Sequence, residues 1–232
     1  WEESDLDYSE KDPGWILYSM ELRTDKIAEI DNSDRYEATS MLPRIETFEN
    51  RMAYIVGERK GQTDNYTYKH WIRLYENGEN HLIFAIQNVA GAYVAPCMDE
   101  NALYYPEYFE DGWNILSYSF ADGSMTRRPV PVLTDGEYLD GVHVGENEIF
   151  YHTGGLSMLY VCDPAAGTFK LIEECGGGVS GSILLEDEFL YCNGGGTDRY
   201  DLATKKKSLW LENGEFSHGK MELANGKVYI LV

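Results

Sequence analysis

Tyrosine recurs in this chain at a fixed place in a repeated segment. Five turn residues each stand four positions ahead of a tyrosine: Asn50 before Tyr54, Asn101 before Tyr105, Asn147 before Tyr151, Asp187 before Tyr191 and Asn225 before Tyr229. The steps between these tyrosines are 51, 46, 40 and 38 residues. Each tyrosine ends a short apolar or aromatic run behind its turn, as in Asn147-Glu-Ile-Phe-Tyr151. That is the pattern of a hairpin's second strand.

A second series follows the first. Trp15-Ile-Leu-Tyr18, Ile72-Arg-Leu-Tyr75, Ile115-Leu-Ser-Tyr118, Ser157-Met-Leu-Tyr160 and Thr197-Asp-Arg-Tyr200 each end on tyrosine. A polar turn comes after each, clearest at Asn77-Gly78 and Asp122-Gly123, which suit tight hairpins. A further apolar strand then runs through 27–30, 81–86, 126–133, 168–172 and 208–211. Each repeat therefore holds four short antiparallel strands, here a to d in chain order, within roughly 40–50 residues, the signature of a propeller blade. The apolar runs are too short, and too rich in Tyr, Ile and Val, for helical repeats.

The expected fold is all-β: a five-bladed β-propeller of four-stranded antiparallel blades. After an acidic lead over 1–14, one domain is expected over 15–232. The chain opens on c- and d-type strands (15–22, 26–30) and closes on a- and b-type strands (218–224, 227–232). Pairing of those ends would close the ring and remove its exposed edges. The blades would be 217–232 with 15–31, then 36–88, 92–134, 138–173 and 178–212.

Charge narrows the partners. The chain carries 40 Asp and Glu against 19 Lys and Arg, a formal charge of −21. Such a field repels phosphate backbones and anionic membranes, so no nucleic-acid partner is expected. Neutral ligands such as sugars, cations and cationic proteins are permitted. No apolar run approaches the roughly 20 residues that span a bilayer, so no membrane insertion is expected within the chain; an upstream anchor is left open. Cys97, Cys162, Cys175 and Cys192 form no CxxC and match no zinc spacing, and buried free thiols are expected rather than a Cys175–Cys192 disulfide. The five histidines show no HExxH and no clustered spacing, so no metal and no cofactor are expected; His143 and His218, both on a strands, are the best placed for metal or acid–base work.

Leu103-Tyr-Tyr105, the strand 113–118 and Ala121-Asp-Gly-Ser124 resemble one repeat of the bacterial propellers called DUF5050, which in turn resemble the YWTD repeats of lipoprotein-receptor propellers. The stretch 160–171 has a similar cadence. The resemblance covers most of the chain at repeat level, and its motifs are structural. It implies a secreted or envelope-anchored protein of a Gram-positive bacterium. It supplies no catalytic residue.

In a propeller the d–a and b–c connections share one rim, and concave mouths with a few convergent polar groups favour ligands. Chain order brings Tyr36, Tyr93, Tyr138, Asp140, Glu215, Phe216 and His218 to that rim. An aromatic ring around the mouth suits stacking on a sugar or another planar apolar face; the competing role for the same rings is packing between blades. The polar insertion 57–68 reads as a long b–c loop, either functional or merely tolerated. Gly176-Gly-Gly-Val-Ser-Gly181 satisfies GxGxxG but leads into a strand, so it does not read as a phosphate cradle. The expected function is a non-catalytic extracellular binding or interaction module for a protein or carbohydrate. The enzyme alternative is a glycosidase, in which Asp34, Asp135, Asp140 and Glu215 could supply the two carboxyl groups such chemistry needs.

Overall fold

In the computed structural model, residues 14–231 are described apart from 22–23, 37–38, 42, 61–66, 88–93, 110–111, 131–137, 146–147, 155–157, 164–165, 167, 176–178, 180, 194–195, 213–219 and 225–226. Residues 1–13 of the acidic lead lie outside this set. The chain falls into two compact units, Trp1–Pro96 and Cys97–Val232. Among the described residues there is no α-helix, only strands and one 3-10 turn at Ser33–Arg35.

The first unit opens on β1 (Ile16–Glu21) and β2 (Lys26–Asn32), an antiparallel hairpin. Then come β3 (Thr39–Ser40), β4 (Arg44–Phe48), β5 (Arg51–Lys60), β6 (Thr67–Glu76) and β7 (Glu79–Gln87), which share one antiparallel sheet. At the β6–β7 turn, Asn77 and Gly78 take φ of 53° and 82°. Positive φ at both central residues is what the primed hairpin turn demands, so the Asn-Gly pair has a mechanical reason.

Two expectations for this sheet change. Its innermost strand is broken: β3 pairs with the far end of β5 at Arg59 and Glu58, and β4 with the near end from Ile55 to Arg51. Pro43 sits in the gap, and a proline has no N–H to give the ladder. Both ends of the insertion at 57–68, namely 57–60 and 67–68, are strand rather than loop, because β5 and β6 stay in register from Arg51↔Glu76 out to Lys60↔Thr67; residues 61–66 lie outside the described set. Along this longer ladder Glu58 is 1% exposed and accepts a hydrogen bond from Trp71 Nε1 at 3.2 Å.

The second unit stacks three four-stranded antiparallel sheets in chain order. They are β8 (Cys97–Met98), β9 (Ala102–Phe109), β10 (Gly112–Ser119) and β11 (Met125–Pro129); β12 (Tyr138–Val144), β13 (Ile149–Gly154), β14 (Met158–Asp163) and β15 (Thr168–Glu174); and β16 (Gly181–Leu184), β17 (Glu188–Cys192), β18 (Gly196–Asp201) and β19 (Lys206–Glu212). A final hairpin, β20 (Lys220–Ala224) and β21 (Lys227–Leu231), follows. The first strand of each sheet lies beside the first strand of the next: β8 by β12, β12 by β16, β16 by β20.

Alternation along the b strands explains why they read as unbroken apolar runs. On β17, Phe189 and Tyr191 pack toward the preceding sheet with Phe150, Leu159 and Val161, while Leu190 and Cys192 pack toward the final hairpin with Met221 and Val228. Both faces of the strand are buried, so both parities must be apolar. Phe150 and Phe189 stack with centroids 4.5 Å apart, face to face across the two sheets. All four cysteines are free thiols, and burial pushes the Cys175 thiol up to about 12.

The expected ring closure is not shown by the described pairings. β1–β2 and β20–β21 are each two-stranded sheets, and neither extends into a four-stranded blade among the described pairings. The last repeated tyrosine also departs from the other four. Tyr54, Tyr105, Tyr151 and Tyr191 are at most 1% exposed, but Tyr229 is 54% exposed. The cause is register. The turns close at Phe48↔Arg51, Asp99–Ala102, Gly145–Glu148 and Leu185–Glu188, and each of the four buried tyrosines stands three residues after its turn's last member. The final turn closes at Ala224↔Lys227, which puts Tyr229 only two residues on. A one-residue slip moves a side chain to the opposite face. Val228 takes the buried side instead.

Candidate functional site

Two of the repeated tyrosines, Tyr54 and Tyr191, have a polar task as well as an apolar one. Tyr54, the fourth residue of β5, donates its hydroxyl to Asp31 Oδ2 at 2.8 Å. Tyr191, the fourth residue of β17, donates to Glu173 Oε2 at 2.8 Å. Asp31 and Glu173 are each the next-to-last residue of the d strand in the preceding sheet, β2 and β15. A b-strand hydroxyl thus reaches across to a carboxylate at the rim end of its neighbour. Burial, and then the bond to the carboxylate, raise the hydroxyl pKa of both tyrosines.

Around Asp31 the tie becomes a network. The carboxylate is fully buried and also accepts from the Tyr36 hydroxyl at 2.6 Å, with Arg35 Nη1 at 3.3 Å and Arg73 Nε at 3.6 Å. Asn80 Nδ2 donates to the Tyr54 hydroxyl at 2.7 Å and to the Ile30 carbonyl at 3.1 Å. A buried carboxylate is tolerated only with such a set of donors.

Around Glu173 the groups are more open. Lys207 Nζ lies 2.6 Å from Glu173 Oε1 and 3.7 Å from Asp198 Oδ2, and Asn193 Nδ2 bridges Glu173 and Asp198. The lysine is 40% exposed, the two acids 19% and 7%. Burial raises the Glu173 carboxyl, but hydrogen bonds from Lys207 and Tyr191 outweigh it and hold the group below its usual value. Burial dominates at Asp198 and holds that carboxyl above its usual value, against the pull of Lys207. This cluster stands where β15 ends and the β17–β18 turn begins, on the rim the d–a and b–c connections share.

Two adjacent strands of the second unit, β12 and β13, each carry a histidine, His143 and His152. His143 Nε2 is 2.7 Å from Ser182 Oγ, linking β12 to β16, and its ring lies 5.3 Å from that of Phe189. Burial, then the neighbouring His152, push its pKa down to about 4. A Cβ on Gly141 would stand 2.1 Å from His152 Nε2, so glycine is required for the ring to lie across the strand. A neutral imidazole on a serine hydroxyl is a sound structural hydrogen bond. Among the described residues no group of three or more His, Cys, Asp or Glu could hold a metal.

Of the rim residues expected from sequence, Tyr36 is 8% exposed. Its ring packs 5.7 Å from Trp15 and 5.9 Å from Trp71, and its hydroxyl is committed to Asp31. Its place is packing between β-elements. Tyr138 and Asp140 lie on β12, with Asp140 as the extra residue of a bulge between Leu139↔Thr153 and Gly141↔His152. Tyr93, Glu215, Phe216 and His218 lie outside the described residues, as does Asp135 of the glycosidase reading. Sequence reasoning passed over Glu173, Asn193, Asp198 and Lys207. Their meeting depends on a contact between sheets that local sequence spacing does not encode.

No protein-family model and no curated protein sequence matches the chain. Solved structures do. TolB from Acinetobacter baumannii superposes with a TM-score of 0.53 at 13% identity, covering 88% of this chain and 50% of TolB. The dihydro-heme d1 dehydrogenase NirN gives 0.52 at 12% identity, over 94% of this chain and 48% of NirN. The computationally designed Ika8 protein gives 0.51 at 11% identity, over 87% of this chain and 73% of Ika8. The chain spans about half the length of TolB and of NirN. At these identities the likeness shows the fold alone, an all-β, propeller-like stack of antiparallel sheets.

Proposed function

We propose that the chain is a non-catalytic binding module that presents the d–a rim of its sheets to a protein or carbohydrate partner outside the cytoplasm. The observation that carries this reading is the Glu173–Asn193–Asp198–Lys207 cluster. It is a partly exposed set of hydrogen-bonding groups, fixed by the Tyr191 tie, on the rim expected to bind. Its carboxylates are engaged with lysine, amide and phenol, which suits recognition rather than proton transfer to a substrate. Tyr93, Tyr138, Asp140, Glu215, Phe216 and His218 are proposed as ligand contacts on the same rim, with Tyr36 bracing it from beneath. The extracellular or envelope-anchored location rests on the DUF5050-like repeats. Closure of a five-bladed ring by the final hairpin belongs to the same proposal. It is supported by the apolar face that β1 leaves open at Ile16, Tyr18 and Met20, each 52–54% exposed.

A glycan array probed with wild type and with the double variant Tyr93→Ala/Tyr138→Ala tests the rim. Wild-type binding that falls at least about tenfold in the variant supports the assignment. Undiminished binding refutes it. Hydrolysis of an arrayed glycan by wild type, lost in Asp140→Asn, would establish the glycosidase instead.

A further inference from the structure

At the opposite end of the sheets, three turns of the second unit enclose a groove of about 450 Å³. They are the β12–β13 turn at Gly145 and Glu148, the β16–β17 turn at Glu186 and Asp187, and the β18–β19 turn from Leu202 to Lys205. We propose that this groove binds an organic cation with an apolar body, in a site distinct from the rim and independent of the rim reading.

The groove is preformed. Gly145 N–H donates to the Glu148 carbonyl at 2.8 Å, and Leu185 N–H to the Glu188 carbonyl at 2.8 Å. Leu202 N–H donates to the Asp187 carbonyl at 3.0 Å, tying the third turn to the second. Thr204 is held on Asp201 through both its N–H and its hydroxyl, at 2.7 and 2.8 Å. A Cβ on Gly145 would come within 3.1 Å of Leu184 Cδ2, so the first turn approaches the second sheet as closely as glycine allows. Little ordering is left for a ligand to impose, which favours affinity.

The floor is apolar and the mouth is negative. Phe150, fully buried and stacked on Phe189, forms the floor with Leu184 and Leu202. At the mouth, Glu148 is neutralised by its ion pair with Lys205. Glu186 and Asp187 are exposed and make no ion pair or side-chain hydrogen bond among the described residues. Two free carboxylates therefore stand over an apolar pocket, in a chain of net charge −21. That field excludes anions and raises the local concentration of cations. The volume falls within the usual range of roughly 300–1,000 Å³ for small-ligand pockets. An ammonium or guanidinium head at Glu186 and Asp187, with a ring or branched chain on the partly exposed Leu184 and Leu202 above the buried Phe150, satisfies both halves. The same chemistry is offered by a free aralkyl amine and by a basic–aromatic peptide.

Calorimetric titration of the intact chain with phenethylamine, phenylalanyl-arginine amide, 2-phenylethanol and phenylacetate tests the site. The cations are expected to bind, phenylacetate not at all, and 2-phenylethanol at least about fivefold more weakly than the amine. Ala203→Trp, which places a large side chain at the exposed lip, should abolish binding of both cations. Glu186→Gln/Asp187→Asn should weaken the cations about fivefold and leave 2-phenylethanol unchanged. Thermal melts of each variant check folding. Binding of both cations, or of the peptide alone, supports the site and separates its two sources. Equal affinity for amine and alcohol, binding that survives Ala203→Trp, or no binding of either cation at millimolar concentration overturns it. None of these variants touches the rim, so failure here leaves the rim reading standing.

Discussion

At the residue scale, Tyr54 and Tyr191 join hydrophobic packing to a polar tie, and the tie can be weighed. Tyr54→Phe keeps the ring but takes one donor from a carboxylate with no exposure to water. It should cost about 1–3 kcal/mol in urea unfolding, with coupling of at least about 0.5 kcal/mol to Asp31→Asn in a double-mutant cycle. Additive losses would mean the bond contributes nothing. His143 gives a pH prediction with a definite sign. Its pKa of about 4 lies below the ordinary 6.5, so the unfolded chain binds more protons between those values and stability falls as pH drops through that window. The loss should approach about 3 kcal/mol by pH 4 and shrink in His143→Gln, read from urea midpoints at pH 7, 5.5 and 4.5. The rings of Tyr54 and Tyr191 were legible in sequence because an aromatic behind a turn has a fixed parity. Their partners were not, because Asp31 lies 23 residues away and Glu173 18, across a sheet-to-sheet contact that no local pattern encodes.

At the element scale, hairpins with strong turn chemistry were readable and interruptions were not. Asn77-Gly78 announces its turn because few other residues accept positive φ twice in succession. The split of the strand at Pro43 and the long ladder of β5 and β6 depend on which backbone groups find partners, which composition does not reveal. Polarity at 57–68 suggested a loop, whereas the strand ends at 57–60 and 67–68 show that a β-ribbon can also be polar. The bulge at Asp140 has the same character, and it brings Gly141 opposite His152. Gly141→Ala must displace the His152 ring, with an expected cost of about 1–3 kcal/mol. Gly141→Ala/His152→Ala should recover part of that loss relative to the sum of the single variants. Strict additivity in thermal or urea unfolding would show that the ring is not what excludes a side chain at 141.

At the scale of the whole molecule, the open question is what covers the two outer hairpins. β1 exposes Ile16, Tyr18 and Met20 and pairs only with β2, and β21 exposes Tyr229 and pairs only with β20, among the described pairings. Unpaired edges invite pairing with another strand, and proteins that keep them monomeric usually blunt them with charge, proline or bulges. Between Leu17 and Met20 β1 carries no charge and no proline, and its one irregularity is the register shift at Leu17/Tyr18, where Ile30 of β2 is the extra residue. Pairing with β21 in a composite blade would satisfy the backbone of both strands and bury apolar surface that each otherwise leaves wet. It must accommodate the one-residue offset at Tyr229, which the short turn after Ala224 imposes. Amide hydrogen exchange separates the possibilities. In a closed ring, the β1 amides that β2 leaves unbonded are protected in the full chain and become exchangeable when 217–232 is deleted, while β5 and β6 keep their protection. Fast exchange of those amides in the full chain would show that the ring is not closed by its own ends. Protection that survives the deletion but disappears on dilution would show that a second copy covers the edge instead.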